Sequence, residues 1–514
     1  MMTKDYGKRI FFWALCVLTL LKLYYATVVP LGHDEAYHWE WARHLAFGYY
    51  DHPPMVGWLI AFFTHIFGNS PIWTRMTAIV CMFGFSYLTY RLGLEFGGDS
   101  VGVWAGLFSL AASALCIGSI IVTTDLPLLF FWQLTAFLVW RAVTSRKSFY
   151  WYFAGIALGF GLLSKFLMMP LILGVFLFLI FSREDRFWLR RKEPYLALGL
   201  AFLLFSPFII WNSQHGWTTF VFQFTRHGQN INASRPVEFL LTQALLSLSP
   251  VLYGAAIWSL FKIIRRVLPR KVPGRIEERR IPAFALFCGW LMPIMFFFAS
   301  VINPVDAHWP MAAYGVILAG LAWELKHRST KTTLGHHPNR LHAGLLVSAI
   351  AWTGFLVAIS LNQDWAKLVM AKNVNLGYGF DKLGARVVQI RRQMDRGSII
   401  ATPNNGFSAS IAFYTPGNPY VSLLGPGSIY GRAYDLWDNW SGWVGRDVLF
   451  ISETPLTGNP ENDLILRSSC ESYTLLPPLE IFRHQQVVWR YYFAIGHKLK
   501  NDQYDMVRRK YRWD

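Results

Sequence analysis

A chain of 514 residues that is 54% hydrophobic, 17% aromatic and only 15% charged is too poor in charge for an ordinary soluble domain, which carries about 25%. Its formal charge of +18 would suit a nucleic-acid partner, but the cations sit in short loops between apolar runs. That distribution excludes nucleic acid and points to a polytopic membrane protein.

In chain order, runs long enough to span a bilayer, about 20 residues each, fall near 10–30, 72–92, 101–116, 118–140, 149–164, 166–182, 195–212, 239–261, 282–302, 309–325 and 343–361. About eleven transmembrane helices are therefore expected. The first run is too long, and too poor in small residues at its end, for a cleaved signal. Lys and Arg concentrate in alternate loops: eight in 262–280, five in 183–193 and four in 326–342. The opposite set holds Arg43, Arg226 and Arg235, and none in 303–308. By the positive-inside rule the N-terminus is cytoplasmic. Loop 31–71, the 213–238 loop, the 303–310 loop and everything beyond about 361 then lie outside.

Two parts follow: a helical membrane part, 1–361, and an outer tail, 362–514. In the tail, 381–394 reads as a helix. The stretches 398–402, 410–415, 420–424 and 447–452 read as short buried strands bounded by Gly, Pro and Asn, so a small α/β domain is expected. The basic, aromatic end at 498–514 reads as a solvated edge or as a contact with anionic lipid. Cys16, Cys81, Cys116 and Cys288 fall in spans and Cys470 is alone in the tail, so cysteine spacing offers no metal motif.

The chemistry concentrates in loop 31–59, where Asp34, Glu35, Glu40 and Asp51 stand among His33, His38, His44 and His52. Clustered ionisable groups beside a bilayer point to catalysis or ion handling. Asp34 and Glu35 follow the first span directly; a partly desolvated carboxylate there serves as a base or a ligand, or Asp34 caps a helix beginning at Glu35. Asp51 and His52 precede Pro53 and Pro54, which hold them at the membrane surface. Asp125 opens an apolar run, and Lys165 is the matching cation between two spans. Lys165 either pairs with Asp125 or binds a phosphate in a water-filled cavity. Arg226 and His227 lie in a second outer loop, Asp306 and His308 in a third. No residue of the tail carries a site signature.

At these residues the chain resembles a known family. HDEAYHWEWARHLAFGYYDHPPMVGWL (33–59), followed by TTDLPLLFFW, GLLSKF, TRHGQ and DAHWP, is similar to the bacterial glycosyltransferases that include the aminoarabinose transferase of lipid A, with protein O-mannosyltransferases as distant relatives. The resemblance implies the GT-C membrane fold over roughly 10–325 and a sugar donor carried on polyprenyl phosphate. By motif, Asp34 matches the acid of the first-loop pair. Asp51 and His52 stand where aminoarabinose transferases have Glu-Lys, and Asp125 matches the acid opening a later span. Lys165 matches a lysine associated with the carrier phosphate. His227 matches a histidine that joins the Asp51 position in holding a divalent metal ion, although Asp51 is shorter than glutamate and His52 is titratable where lysine is not.

The resulting expectation is an inverting glycosyltransferase of the bacterial inner membrane, with its active site and tail in the periplasm. Asp34 and Asp51 are the catalytic acids. Glu35, His52, Asp125 and His308 support the acceptor or the loops, and Lys165 and Arg226 bind the carrier phosphate. Asp51 and His227 are the pair for a metal. The acceptor is lipid A or lipopolysaccharide core, with a protein hydroxyl as the alternative. A transporter for a lipid-linked sugar is the rival class; transporters often show repeated halves, and the sequence has no evident repeat.

Overall fold

The computed structural model describes residues 4–225, 231–267, 277–331, 338–361, 379–424, 433–438, 441–483 and 485–500. The first part is helical: α1 (Lys4–Val28), α2 (His33–Arg43), α3 (Met55–Phe67), α4 (Pro71–Gly97), α5 (Asp99–Ala111), α6 (Ser113–Ile117), α7 (Asp125–Ser145), α8 (Phe149–Ser164), α9 (Met169–Phe181), α10 (Glu193–Gln214), α11 (Thr218–Thr225), α12 (Arg235–Thr242), α13 (Pro250–Val267), α14 (Glu277–Ala285), α15 (Leu291–Ala299), α16 (Tyr314–Lys331) and α17 (Pro338–Leu361). At 1.5 Å per residue, the 25 residues of α1 exceed the roughly 30 Å hydrocarbon thickness. Its Trp13, Leu20 and Tyr24 stay exposed, as side chains facing lipid do.

The eleven apolar runs all fall on helices, but not on eleven uniform ones. Among the described residues six helices are long and apolar enough to cross a membrane, or up to eight if each bent pair counts as one span. The run at 101–116 bends by 72° between α5 and α6, and that at 239–261 by 116° ahead of α13. The expected start at 118 is corrected to Asp125: residues 118–120 form a separate short turn. Small residues let the helices approach closely. Gly98, at φ +75, turns α4 into α5, and a Cβ on Gly93 would stand 2.9 Å from the Gly102 Cα.

The tail contains α18 (Phe380–Arg391), β1 (Ile399–Thr402), α19 (Asn405–Tyr414), β2 (Ser422–Leu423), α20 (Tyr434–Trp437), β3 (Val448–Ser452), α21 (Pro460–Ser469), β4 (Cys470–Arg483) and β5 (Gln486–Leu499). The sheet order is β2-β1-β3-β5-β4. β1 runs parallel to β2 and β3, while β5 is antiparallel to β3 and β4. Three of the four expected strands are present.

The expected strand at 410–415 is instead part of helix α19. Asn404 caps it, accepting a hydrogen bond from the Phe407 N–H at 3.1 Å. The helix is buried from Gly406 to Phe413, so it shows no amphipathic period and reads like a buried strand.

The tail docks on α2. The Leu31 N–H donates to the Tyr414 hydroxyl at 2.5 Å, and Arg43 donates to the Asn418 carbonyl at 2.8 Å. Trp39 packs edge-on against Phe413, and His44 stacks on Trp437. A Cβ on Gly406 would lie 2.7 Å from the His33 Cβ, so only glycine permits α19 to sit this close.

Candidate active site

The two neighbouring acids at the start of α2 have different fates. The helix begins at His33 with Gly32 as its N-cap residue, so Asp34 is not the cap. Glu35 Oε2 reaches back to accept from the Gly32 N–H at 3.0 Å. Glu35 is buried against Arg75 of α4, with Nε to Oε1 at 2.8 Å and Nη2 to Oε2 at 2.6 Å, and Oε1 also accepts from the Val122 N–H at 3.1 Å. Arg75 spends its remaining donors on the Val29 and Pro30 carbonyls. Glu35 thus ties the first loop to α4 and to residue 122. Asp34 is exposed and makes no hydrogen bond or ion pair among the described residues.

Asp34 opens a helical stripe. With Tyr37, His38 and Trp41 it follows the i, i+3, i+4, i+7 spacing of one α-helical face. All four line a cavity of about 890 Å³. The same cavity is lined by Asp51 and His52 before α3, by Thr123, Thr124 and Asp125 at the start of α7, and by Lys165 after α8. Arg235 of α12, Asp306, His308 and Trp309 between α15 and α16, and Asn404, Asn405 and Gly406 of the tail complete the lining. The structure therefore gathers Asp34, Asp51, His52, Asp125, Lys165 and His308 around one space.

Lys165 Nζ donates to Asp125 Oδ1 at 2.8 Å, and both side chains are buried. His308 Nε2 stands 3.6 Å from the other oxygen of Asp125. The pairing of Lys165 with Asp125 is thus formed on the wall of a cavity rather than inside a packed core, where an incoming anion can compete for the ammonium. The Tyr37 hydroxyl donates to Asp51 Oδ2 at 3.2 Å, and the Gln223 amide to the Asp51 carbonyl at 2.6 Å.

Burial dominates the electrostatics of the first loop and of the tail docked on it. It lowers the pKa of His33 and of His38, so the neutral rings are favoured. It raises Glu40 to about 7 in spite of Arg43, whose Nη1 lies 3.0 Å from its carboxylate, and it raises Glu453 to about 7.

Glu35 does not line the cavity. Arg226 and His227 lie outside the described residues. Among the described residues no group of three or more His, Cys, Asp or Glu is arranged to hold a metal ion. The residues described around Asp51 therefore supply no ligand set.

Sequence reasoning named His38 within the ionisable cluster but gave it no site role, and it gave none to Tyr37, Trp41, Arg235 or any residue of the tail, where the turn 404–406 joins the cavity lining. The stripe from Asp34 was readable from helical spacing. The tail turn was not, because a turn in the second part meets α2 only through tertiary docking.

A family model for dolichyl-phosphate-mannose-protein mannosyltransferase matches residues 51–211. The chain is 28% identical over 306 residues to the lipid A galacturonosyltransferase RgtD of Rhizobium johnstonii, a match covering 56% of this chain and 59% of that protein. The chain therefore spans less than two thirds of that relative's length. Two crystal structures of ArnT from Cupriavidus metallidurans superpose over nearly the whole chain. The apo form has a TM-score of 0.64 at 14% identity, covering 93% of this chain and 97% of ArnT. The form bound to undecaprenyl phosphate has a TM-score of 0.60 at 16% identity, covering 94% and 97%. At such identities the likeness to ArnT is one of fold. With a multi-pass helical body and a small α/β tail docked on its first loop, the chain has the GT-C fold seen in ArnT, and its residues 51–211 match the mannosyltransferase family model.

Proposed function

We propose that this protein is an inverting glycosyltransferase that moves a sugar from a polyprenyl-phosphate carrier to lipid A or lipopolysaccharide core, on the periplasmic side of the bacterial inner membrane. The observation that carries the proposal is the cavity itself. It holds an unengaged carboxylate, Asp34, together with a lysine, Lys165, at the head of the membrane helices. A sugar phosphodiester already has a good leaving group, so the enzyme must supply a base for the acceptor and positive charge for the departing phosphate.

In the proposed reaction Asp34 takes the proton from the acceptor hydroxyl. The acceptor oxygen attacks the anomeric carbon as the bond from that carbon to the phosphate oxygen breaks. The polyprenyl phosphate leaves with the electron pair, and Lys165, drawn from Asp125, meets its charge. Asp51, held by Tyr37, lines the acceptor side, and Arg235 and His308 line the phosphate side. One base and one displacement invert the anomeric centre. Arg226, if it reaches the carrier phosphate, adds to this charge, and a divalent ion at Asp51 would require His227.

The lipid acceptor is supported by the name of RgtD, and the carrier by the undecaprenyl phosphate bound to ArnT. Periplasmic orientation is supported by the convergence on one cavity of the first loop, Arg235, Asp306, His308 and the tail, all of which the cation pattern assigns to one side. The family model's description favours one second reading, transfer to a protein hydroxyl.

Mass spectrometry of lipid A, core and carrier lipids separates these outcomes in cells with and without the protein and in cells carrying Asp34→Ala. Loss of one sugar mass from lipid A or core, with accumulation of sugar-loaded carrier, is expected in the deletion and in the variant. Unchanged glycolipids together with loss of a glycoprotein mass would transfer the proposal to protein acceptors, and no change in either would refute it.

A further inference from the structure

His38 is more than nine-tenths buried, yet it lines the cavity. Its Nδ1 is enclosed and has no hydrogen-bond partner among the described residues. A buried polar atom left unbonded is costly, and in a binding site the cost is removed when a ligand supplies the partner. The position of the ring narrows down that ligand. His38 lies one helical turn beyond Asp34 on α2, and both line the cavity together with Asp125 and Lys165. The imidazole therefore shares one cavity with the carboxylate assigned to the acceptor and the Asp125–Lys165 pair assigned to the phosphate. In a displacement, the group lying between acceptor oxygen and leaving phosphate is the transferred sugar. Trp41, another turn along, packs edge-on against the imidazole with ring centroids 4.8 Å apart, which fixes the ring plane.

We infer that His38 is a donor-sugar contact: its imidazole hydrogen-bonds a hydroxyl or carboxylate of the sugar ring and thereby contributes to the choice of sugar. Nδ1 is a donor in one neutral tautomer and an acceptor in the other, so it meets a sugar oxygen in the first and a sugar hydroxyl proton in the second. The inference deepens the reading of the cavity as a site for a sugar-loaded polyprenyl phosphate and rests on it. Discrimination is expected to be strong, because a site built around a polar contact is left with an unpaired group when the wrong sugar enters.

The test compares binding of bare undecaprenyl phosphate with binding of the same carrier bearing galacturonosyl, aminoarabinosyl or mannosyl groups, on purified full-length protein in detergent. The wild type should bind one loaded carrier more tightly than the bare one. His38→Phe, which keeps the volume but not the polarity, should reduce that preference about tenfold or more while leaving bare-carrier affinity within twofold. His38→Gln, which keeps a donor and an acceptor, should restore much of it. Neither variant should melt earlier than the wild type, whereas a structural role for the imidazole predicts that His38→Phe does.

An unchanged preference in His38→Phe, an equal loss of bare-carrier affinity, or a wild type that does not distinguish loaded from bare carrier would each overturn the inference. Failure of the transferase reading looks different: the His38-dependent preference would persist while no sugar reached any acceptor.

Discussion

Asp34 and Glu35 are adjacent, carry the same charge and open the same helix, yet the structure bonds only Glu35 and the proposed reaction uses only Asp34, a division that two single substitutions test. In Glu35→Gln one carboxylate oxygen becomes an amide NH2. Oε1 accepts from Arg75 Nε and the Val122 N–H, and Oε2 accepts from Arg75 Nη2 and the Gly32 N–H. Whichever way the amide is turned, its NH2 faces two donors, so two hydrogen bonds are lost. The guanidinium of Arg75 then remains buried without a counter-charge, since both partners are only 2% exposed. Breaking a buried pair from one side costs about 3–5 kcal/mol.

In Asp34→Asn nothing comparable is lost, because the side chain is exposed and unbonded, and stability should stay within about 0.5 kcal/mol of wild type. Removing a general base should instead lower transfer by about 10²–10⁴-fold. Differential scanning fluorimetry in detergent, paired with transfer from sugar-loaded undecaprenyl phosphate to lipid A, reads both effects. Glu35→Met combined with Arg75→Met should recover much of the lost stability, since an apolar pair leaves no buried charge. Coincident melting of Glu35→Gln and wild type, or full transfer by Asp34→Asn, would refute the division of labour.

Lys165→Gln should weaken binding of undecaprenyl phosphate about tenfold or more, whereas Asp125→Asn, which releases the lysine, should retain that binding. Loss of thermal stability in both, with phosphate binding intact in both, would make the pair purely structural. Glu40 gives a pH dependence. Burial raises its folded pKa to about 7, above the unfolded value of 4.5, so its contribution is fully present below pH 4.5 and is lost as pH rises through 7. Between those values the wild type should lose about 1.4 kcal/mol per pH unit relative to Glu40→Gln, and parallel pH–stability curves for the two proteins would contradict the assignment. Gly406→Ala places a Cβ 2.7 Å from the His33 Cβ and should cost about 1–3 kcal/mol by prising α19 from α2. Increased proteolysis of the tail measures this, and a wild-type cleavage pattern would show that the contact yields freely.

Much of this protein is set by local composition. A membrane-spanning helix must satisfy its own backbone and needs a long apolar run, so the apolar runs marked the helices without any knowledge of their packing. The acids and histidines of loop 31–59 were conspicuous because charge beside a bilayer is rare. The parallel strands β1 and β3 were legible as short, fully buried apolar runs.

What tertiary structure alone decided depends on partners distant in the chain. Glu35 became structural and Asp34 free because Arg75, 40 residues away, reaches only one of them. Helix α19 was mistaken for a strand because burial on all sides removed its period. Strand β4 was missed because Pro477 and Pro478 argue against a strand; they are tolerated at the edge of the sheet, where the register shifts between Leu476 and Leu479. Arg235 and the turn at 404–406 entered the site only when α12 and the tail came together with α2 around one cavity. Residue chemistry and period are properties of neighbours along the chain, whereas membership of a cavity is set by which distant surfaces bury one another.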